Sequence, residues 1–252
     1  MDEPRRHGYS PFSAVVLHGG PGAPGSAQGL AAGLGTLCGV LEPFQTENTV
    51  EGLLFELNEI LQRYADRPVT LIGHSWGAWL GFLFAARYPE SVRKLILVSS
   101  CPFEDRYVPL ITKTRMERMG PEGRSLIKRI FERPLSDAQL KKIGVLVAKA
   151  DAFDPLPEGK GAEPDAAQYQ AVWGQAQALR TNETLLGASK FIRCPVTAIH
   201  GDWDPHPAEG VKEPLEEALK DFRFILLEKC GHEPWKERFA KDAFFKILKA
   251  EV

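Results

Sequence analysis

The 252-residue chain is poor in the features that mark special classes of protein. It has only 4 cysteines, and Cys38, Cys101, Cys194 and Cys230 are far apart and form no CxxC pair. That speaks against a disulfide framework and predicts reduced, mostly buried thiols in a cytoplasmic protein. A formal net charge of only -2 gives no ground to expect nucleic acid or an anionic membrane as a bulk partner. No stretch reaches the ~18 uninterrupted apolar residues of a membrane helix. The opening MDEPRRHGYSPFS has no apolar run that could serve as a signal peptide. Internal repeats and low-complexity tracts are absent as well. What remains is an ordinary globular balance, 44% hydrophobic and 25% charged, in a length that fits one domain or one domain with a sizeable insertion.

Short apolar, β-branched runs alternate with helical patterns, the signature of an α/β fold with a mostly parallel sheet and helices on both faces. Strands are predicted at 13–18, 68–73, 94–100, 195–201 and 223–228, with a weaker one at 38–42. Helices are predicted at 50–64, 76–88, 208–219 and 235–249, the last burying a stripe of Trp235, Phe239, Phe244, Phe245 and Leu248. From about Pro102 to Ser189 no good strand occurs, and amphipathic helices with loops are expected instead. One such segment spaces Leu126, Ile127, Ile130 and Phe131 at helical intervals among basic residues. The loop DAFDPLPEGKGAEPD is rich in Pro, Gly and acids and is expected to be mobile. The division follows: a core at 1–101 and 190–252, with a helical lid inserted at 102–189.

The segment AVVLHGGPGAPG contains a GxGxxG register after a predicted strand, and Glu42 ends the next strand. A dinucleotide fold places a phosphate and a ribose at those positions. Against this, Pro21 and Pro24 remove two backbone donors from the loop. Gly29, Gly33 and Gly35 also weaken any helix that follows, by ~1 kcal/mol each relative to alanine.

Gly73-His74-Ser75-Trp76-Gly77 matches GxSxG between an apolar strand and a helix, the strand–turn–helix setting of a nucleophile elbow. The small residues Gly77, Gly81 and Ala85 then recur along one face, letting this helix lie close to the sheet. A serine needs a base, and the base an orienting acid. Asp202 and Asp204 follow one predicted strand and His232 follows another, in the order serine, acid, histidine. In a parallel sheet such loops open on one edge, where active sites form.

With these motifs the chain resembles the α/β-hydrolase superfamily over nearly its whole length, and the HGGPG loop resembles that of proline iminopeptidases. The resemblance implies a nucleophile at Ser75, an acid at Asp204 with Asp202 as second choice, and a base at His232. It also implies an oxyanion hole from the backbone N–H groups of Gly20 and Trp76. A small ester or amide is the implied substrate, and no metal or organic cofactor is required. Proline iminopeptidase-like aminopeptidase activity and a non-catalytic ligand-binding protein on this fold are the alternatives. The chain departs from the peptidase pattern in having VLEPFQTENT at the strand following the HGGPG loop and His74 before the serine. Glu163 and Glu183 are the acids available for amine recognition. The hairpin that usually opens the fold is expected to be shortened or missing. Phe131, Phe153, Tyr169 and Trp173 are candidates for the substrate pocket or for lid core. The basic residues of 113–133 read as a solvated helix face, and Cys101 and Cys230 as structural thiols near the site.

Overall fold

The computed structural model describes residues 2–130, 136–157 and 163–252. Seven strands form one sheet: β1 (Arg5–His7), β2 (Phe12–Leu17), β3 (Gly39–Glu42), β4 (Val69–His74), β5 (Val92–Val98), β6 (Val196–Gly201) and β7 (Phe222–Leu227). Their order is β1-β3-β2-β4-β5-β6-β7, with every pair parallel except β1 and β3. The predicted strands therefore hold to within a residue or two.

Alternate residues of each strand face opposite layers, as the two-residue period of a strand demands. Val15 and Leu17 pack on one side with α2 (Val50–Tyr64), α3 (Trp76–Arg87) and α8 (Glu209–Ala218). Ala14 and Val16 pack on the other with α1 (Gln28–Leu34) and α9 (Lys241–Glu251). β2 has β3 on one side and β4 on the other, so the loops leaving β2 and β4 part company there. Such a reversal of strand order opens a crevice at the C-terminal edge of a parallel sheet.

The opening of the fold is shortened, as expected: β1 is 3 residues long and pairs antiparallel to β3. Its sequence RRH carries no apolar signal, because charge holds it in place. Arg5 Nη1 and His7 Nε2 meet the buried Glu42 carboxylate at 3.1 and 2.8 Å. The last helix starts at Lys241, not 235, after a separate turn at Pro234–Lys236. Phe239 consequently points outward, 56% exposed, while Trp235, Phe244 and Leu248 are buried.

Between β5 and β6 lie α4 (Val108–Ile130), α5 (Asp137–Asp151), α6 (Ala166–Thr181) and α7 (Thr184–Gly187). α4 breaks at Gly120, whose φ of 67° only glycine adopts freely, ahead of Pro121. Phe131 and Arg133 lie outside the described residues, as do the side chains of Leu126, Ile127 and Ile130. The expected solvated face of 113–133 holds at exposed Lys113, Arg124 and Lys128 but not at Arg115 and Arg118. Arg115 turns inward to clasp Asp151 through Nε and Nη2 at 2.8 and 2.5 Å. Arg118 lies 4.0 Å over the Trp203 ring and donates to the Ala150 and Trp203 carbonyls.

The first part of the acid- and proline-rich loop is pinned rather than loose. Buried Glu237 accepts the backbone N–H groups of Phe153, Asp154 and Gly231 at 2.8, 2.8 and 2.9 Å. The Leu156 N–H donates to the Lys236 carbonyl, the Arg238 N–H to Asp154, and Pro155 bridges Glu237. One carboxylate thus fastens the inserted helices to the loop after β7. Glu237→Ala should strand these buried donors and cost about 3 kcal/mol, read as a lower urea midpoint. A loss below about 1 kcal/mol would show that the clamp is dispensable.

Candidate active site

The strand β4 delivers Ser75 into a turn that few residues tolerate. Ser75 has φ 53° and ψ -115°, and its N–H donates to the Val98 carbonyl at 2.9 Å. Space for the turn comes from the flanking glycines. A Cβ on Gly73 would press into the Gly77 carbonyl and come 2.6 Å from Ala78 Cα. One on Gly77 would meet the carbonyl oxygens of Leu17 and His18 at 2.5 and 2.6 Å. Farther along α3, a Cβ on Gly81 would sit 3.3 Å from Leu95, so the helix does lie close on the sheet.

The loop after β2 passes over this turn. A Cβ on Gly19 would approach His74 Nδ1 to 2.7 Å and Ser75 Cβ to 3.0 Å. Gly20 has φ 60° and is half-buried. Gln45 braces the loop, donating to the His18 carbonyl at 3.1 Å while its Oε1 accepts from Trp76 Nε1 at 2.9 Å. The N-terminus of α6 closes over it, with the Asp165 N–H donating to the Gly22 carbonyl at 2.7 Å and Gln168 donating to the Gln45 carbonyl. Gly20 and Trp76 therefore belong to two segments stitched to each other.

Asp204, in the loop after β6, is buried and its Oδ2 accepts from His232 Nδ1 at 2.7 Å. Asp202 points elsewhere, accepting the Cys230 N–H at 3.1 Å. Asp204 Oδ1 accepts twice from His206, from the backbone N–H at 2.9 Å and from ring Nδ1 at 2.8 Å. Burial opposes the ionised form of Asp204, but His232, His206 and His200 around it hold its pKa well below the usual carboxylate range. Burial likewise opposes a charged His232, yet Asp204 outweighs it and raises the imidazole above its ordinary value. Asp204, His206 and His232 bring ligand-type atoms within 4.8 Å of one another. Both Nδ1 atoms are already committed to the carboxylate and are not free to hold a metal as well.

Ser75 Oγ lies 3.8 Å from Cys101 Sγ, and among the described residues that is its hydrogen-bond partner; no bond to His232 forms in this conformation. Hydrogen bonds of a catalytic base are often open in an unliganded site. His74, the residue inside GxSxG, reaches across instead. It lies edge-on to Trp235 and 4.8 Å from the His232 ring, and its Nε2 donates to the His232 carbonyl at 2.9 Å. The inserted helices hold the other side, where the His232 N–H donates to the Asp151 carbonyl at 3.0 Å. Sequence reading missed the parts played by His74, Asp151 and Glu237, whose partners lie far off in the chain, and that of His206, which stands two residues from Asp204.

Of the pocket candidates, Tyr169 stacks on Trp173, which stacks on Trp79 of α3, at 6.3 and 6.0 Å. Phe153 joins a different cluster with Trp203 and Phe239 and is 40% exposed. Glu163 is exposed and paired with Lys141, and Glu183 is exposed at the start of α7. Glu42 is taken up by Arg5 and His7. Cys101 and Cys230 are buried, whereas Cys38 and Cys194 are only half-buried, a correction for the last two. Among the described residues no helix is long and apolar enough to cross a membrane.

Comparison with known proteins agrees with this fold. The fold superposes on VinJ with a TM-score of 0.70 at 20% identity, covering 99% of this chain and 95% of that one. It superposes on the enol-lactonase from Burkholderia xenovorans LB400 with a TM-score of 0.63 at 21% identity, covering 98% and 94%. A mouse serine hydrolase-like protein is 38% identical over 61 residues, which span 24% of this chain and only 18% of that relative. The model of the alpha/beta hydrolase family matches residues 14–242. The chain belongs to the alpha/beta hydrolase family.

Proposed function

We propose that the protein is a serine hydrolase that cleaves a small ester or amide through an acyl-enzyme on Ser75. The observation that carries this reading is the 2.7 Å bond from His232 to buried Asp204, beside a serine held in a strained turn. Ser75 Oγ turns from Cys101 to His232, gives its proton to Nε2 and attacks the carbonyl carbon. The oxyanion so formed is held by the backbone N–H groups of Gly20 and Trp76. His232 then passes the proton to the leaving alcohol or amine, and water, deprotonated by the same imidazole, releases the acid. Asp204 fixes the imidazole tautomer and stabilises its charged form. Residues 102–189 act as a cap, and the Trp79–Trp173–Tyr169 stack forms an apolar wall for the acyl or alcohol group. The ligand-binding alternative is disfavoured by the cost of keeping Asp204 buried and charged for no reaction.

A fluorophosphonate probe should label the native protein at Ser75, and Ser75→Ala should abolish both labelling and ester turnover. A folded wild-type protein that ignores the probe and a panel of acyl nitrophenyl esters would end the proposal. In the same assay, preference for free-amine proline arylamides over esters would favour the aminopeptidase reading, and ester activity alone would retire it.

Cys101 is no rival nucleophile. Burial pushes its thiol up to about 11, leaving it protonated at neutral pH. Cys101→Ala should keep turnover within about threefold while Ser75→Ala loses ~10³-fold or more. Loss of both to the same degree would reassign the nucleophile.

The pH profile follows from the base. A raised His232 pKa means that kcat/KM climbs through a limb above the ordinary histidine value of 6.5 and then levels. In Asp204→Asn the raising charge is gone and burial dominates, so the limb should move to lower pH while the plateau falls by up to ~10⁴-fold. A limb that stays in place would show that Asp204 does not act on His232.

A further inference from the structure

A second histidine shares the carboxylate of Asp204. We propose that His206 is a positioning residue of the catalytic site: its neutral ring donates to the oxygen of Asp204 that His232 leaves free and stacks on His232, aiming the carboxylate and confining the imidazole. The inference rests on the serine hydrolase reading of the same site.

The contacts are specific. His206 Nδ1 is 2.8 Å from Asp204 Oδ1, so a lone pair that would otherwise be buried unpaired is satisfied. The backbone N–H of His206 also reaches Oδ1, at 2.9 Å, and would do so for any residue except proline. Only the ring donor and the stack depend on histidine. The rings of His206 and His232 lie 4.5 Å apart and 28° from parallel. Swinging His232 off Asp204 would slide it against that face. His206 is itself held, because His200 Nε2 donates to its carbonyl at 2.8 Å. Both His200 and His206 are buried, so neither can exchange these bonds for water.

Charge matters as much as shape. The groups facing His206 are Asp204 in its own loop, His200 from β6, His232 from the loop after β7, and Arg115 from α4, itself paired with Asp151 of α5. Burial pushes His206 down to about 4 despite Asp204, so the ring stays neutral wherever His232 works as a base. A charged ring stacked there would repel the imidazolium that forms during the reaction. A neutral ring donates its hydrogen bond without that repulsion, and by occupying Oδ1 it tempers the pull of Asp204 on the His232 proton.

The test separates the donor from the ring. His206→Phe keeps a stacked ring and deletes the donor, whereas His206→Asn keeps a donor at the same branch and deletes the ring. In His206→Phe the carboxylate, left with only the backbone N–H on Oδ1, should hold the His232 proton more tightly, moving the acid limb of kcat/KM up by about half a pH unit. In His206→Asn the limb should stay at the wild-type position. Both should lower kcat roughly tenfold with KM unchanged, since neither side chain contacts substrate. If His206→Phe does not fold, His206→Asn and His206→Ala are compared, and only the alanine variant should show the raised limb. Donor-lacking and donor-bearing variants with coincident limbs would overturn the proposal. A Ser75→Ala control that retains turnover would instead overturn the serine hydrolase reading beneath it.

Discussion

A serine held at φ 53° is the constraint on which the rest of the site depends. Such a backbone is uncommon outside glycine and persists only where its surroundings over-determine it. Here Gly73 has no room for a Cβ because the Gly77 carbonyl faces it, and Gly77 has none because it rests on the carbonyls of Leu17 and His18. The turn is therefore locked to the end of β2 as well as to its own strand. Because β2 also launches the HGGPG loop, the place of Ser75 and the place of Gly20 are fixed by one packing contact. The close approach of Gly19 to Ser75 is the direct result.

The inserted helices extend this fixation to the remaining loops. α6 meets the loop after β2 through Asp165 and Gln168, and Arg118 of α4 grips the loop of Asp204 through the Trp203 carbonyl. The end of α5 takes the His232 N–H, and Glu237 ties the residues beyond it to Gly231. The segment between β5 and β6 is thereby an outer wall that holds these loops in register. Catalytic groups must be held within a fraction of an ångström to act together, and contacts of this kind supply that precision from outside the sheet.

How much of this was legible in the sequence depended on the range of the interaction. Strands show in local β-branched runs, and the order serine, acid, histidine is a one-dimensional pattern that survives without coordinates. β1 was missed because Arg5 and His7 pair with Glu42 across 35 or more positions and the strand carries no periodicity. Glu237 reads as one more acid in a charged segment, and its role appears only when residues 83 and 84 positions away fold back onto it. The exposure of Phe239 has the same origin, since the clamp and the Pro234–Lys236 turn delay the start of α9. Arg115 and Arg118 look like members of a solvated stripe until Asp151 and Trp203 arrive from elsewhere in the chain.

The GxGxxG register shows how identical letters acquire different physics. A phosphate cradle needs the N-terminus of a helix directly behind the glycines, with its first N–H groups free for the ligand. Here α1 begins only at Gln28, after turns in which the N–H groups of Ala23, Ser26 and Gln28 are spent on Gly20, Ala23 and Gly25. Gly22 is shut in by the Asp165 carbonyl, and Glu42 is held by Arg5 and His7 instead of facing a ribose. What the glycines provide is backbone thinness: Gly19 lets the loop lie against His74 and Ser75, and Gly20 takes the positive φ that turns it there. A loop shaped in that way suits charge that appears on a reacting carbonyl beside the serine better than charge resident on a cofactor.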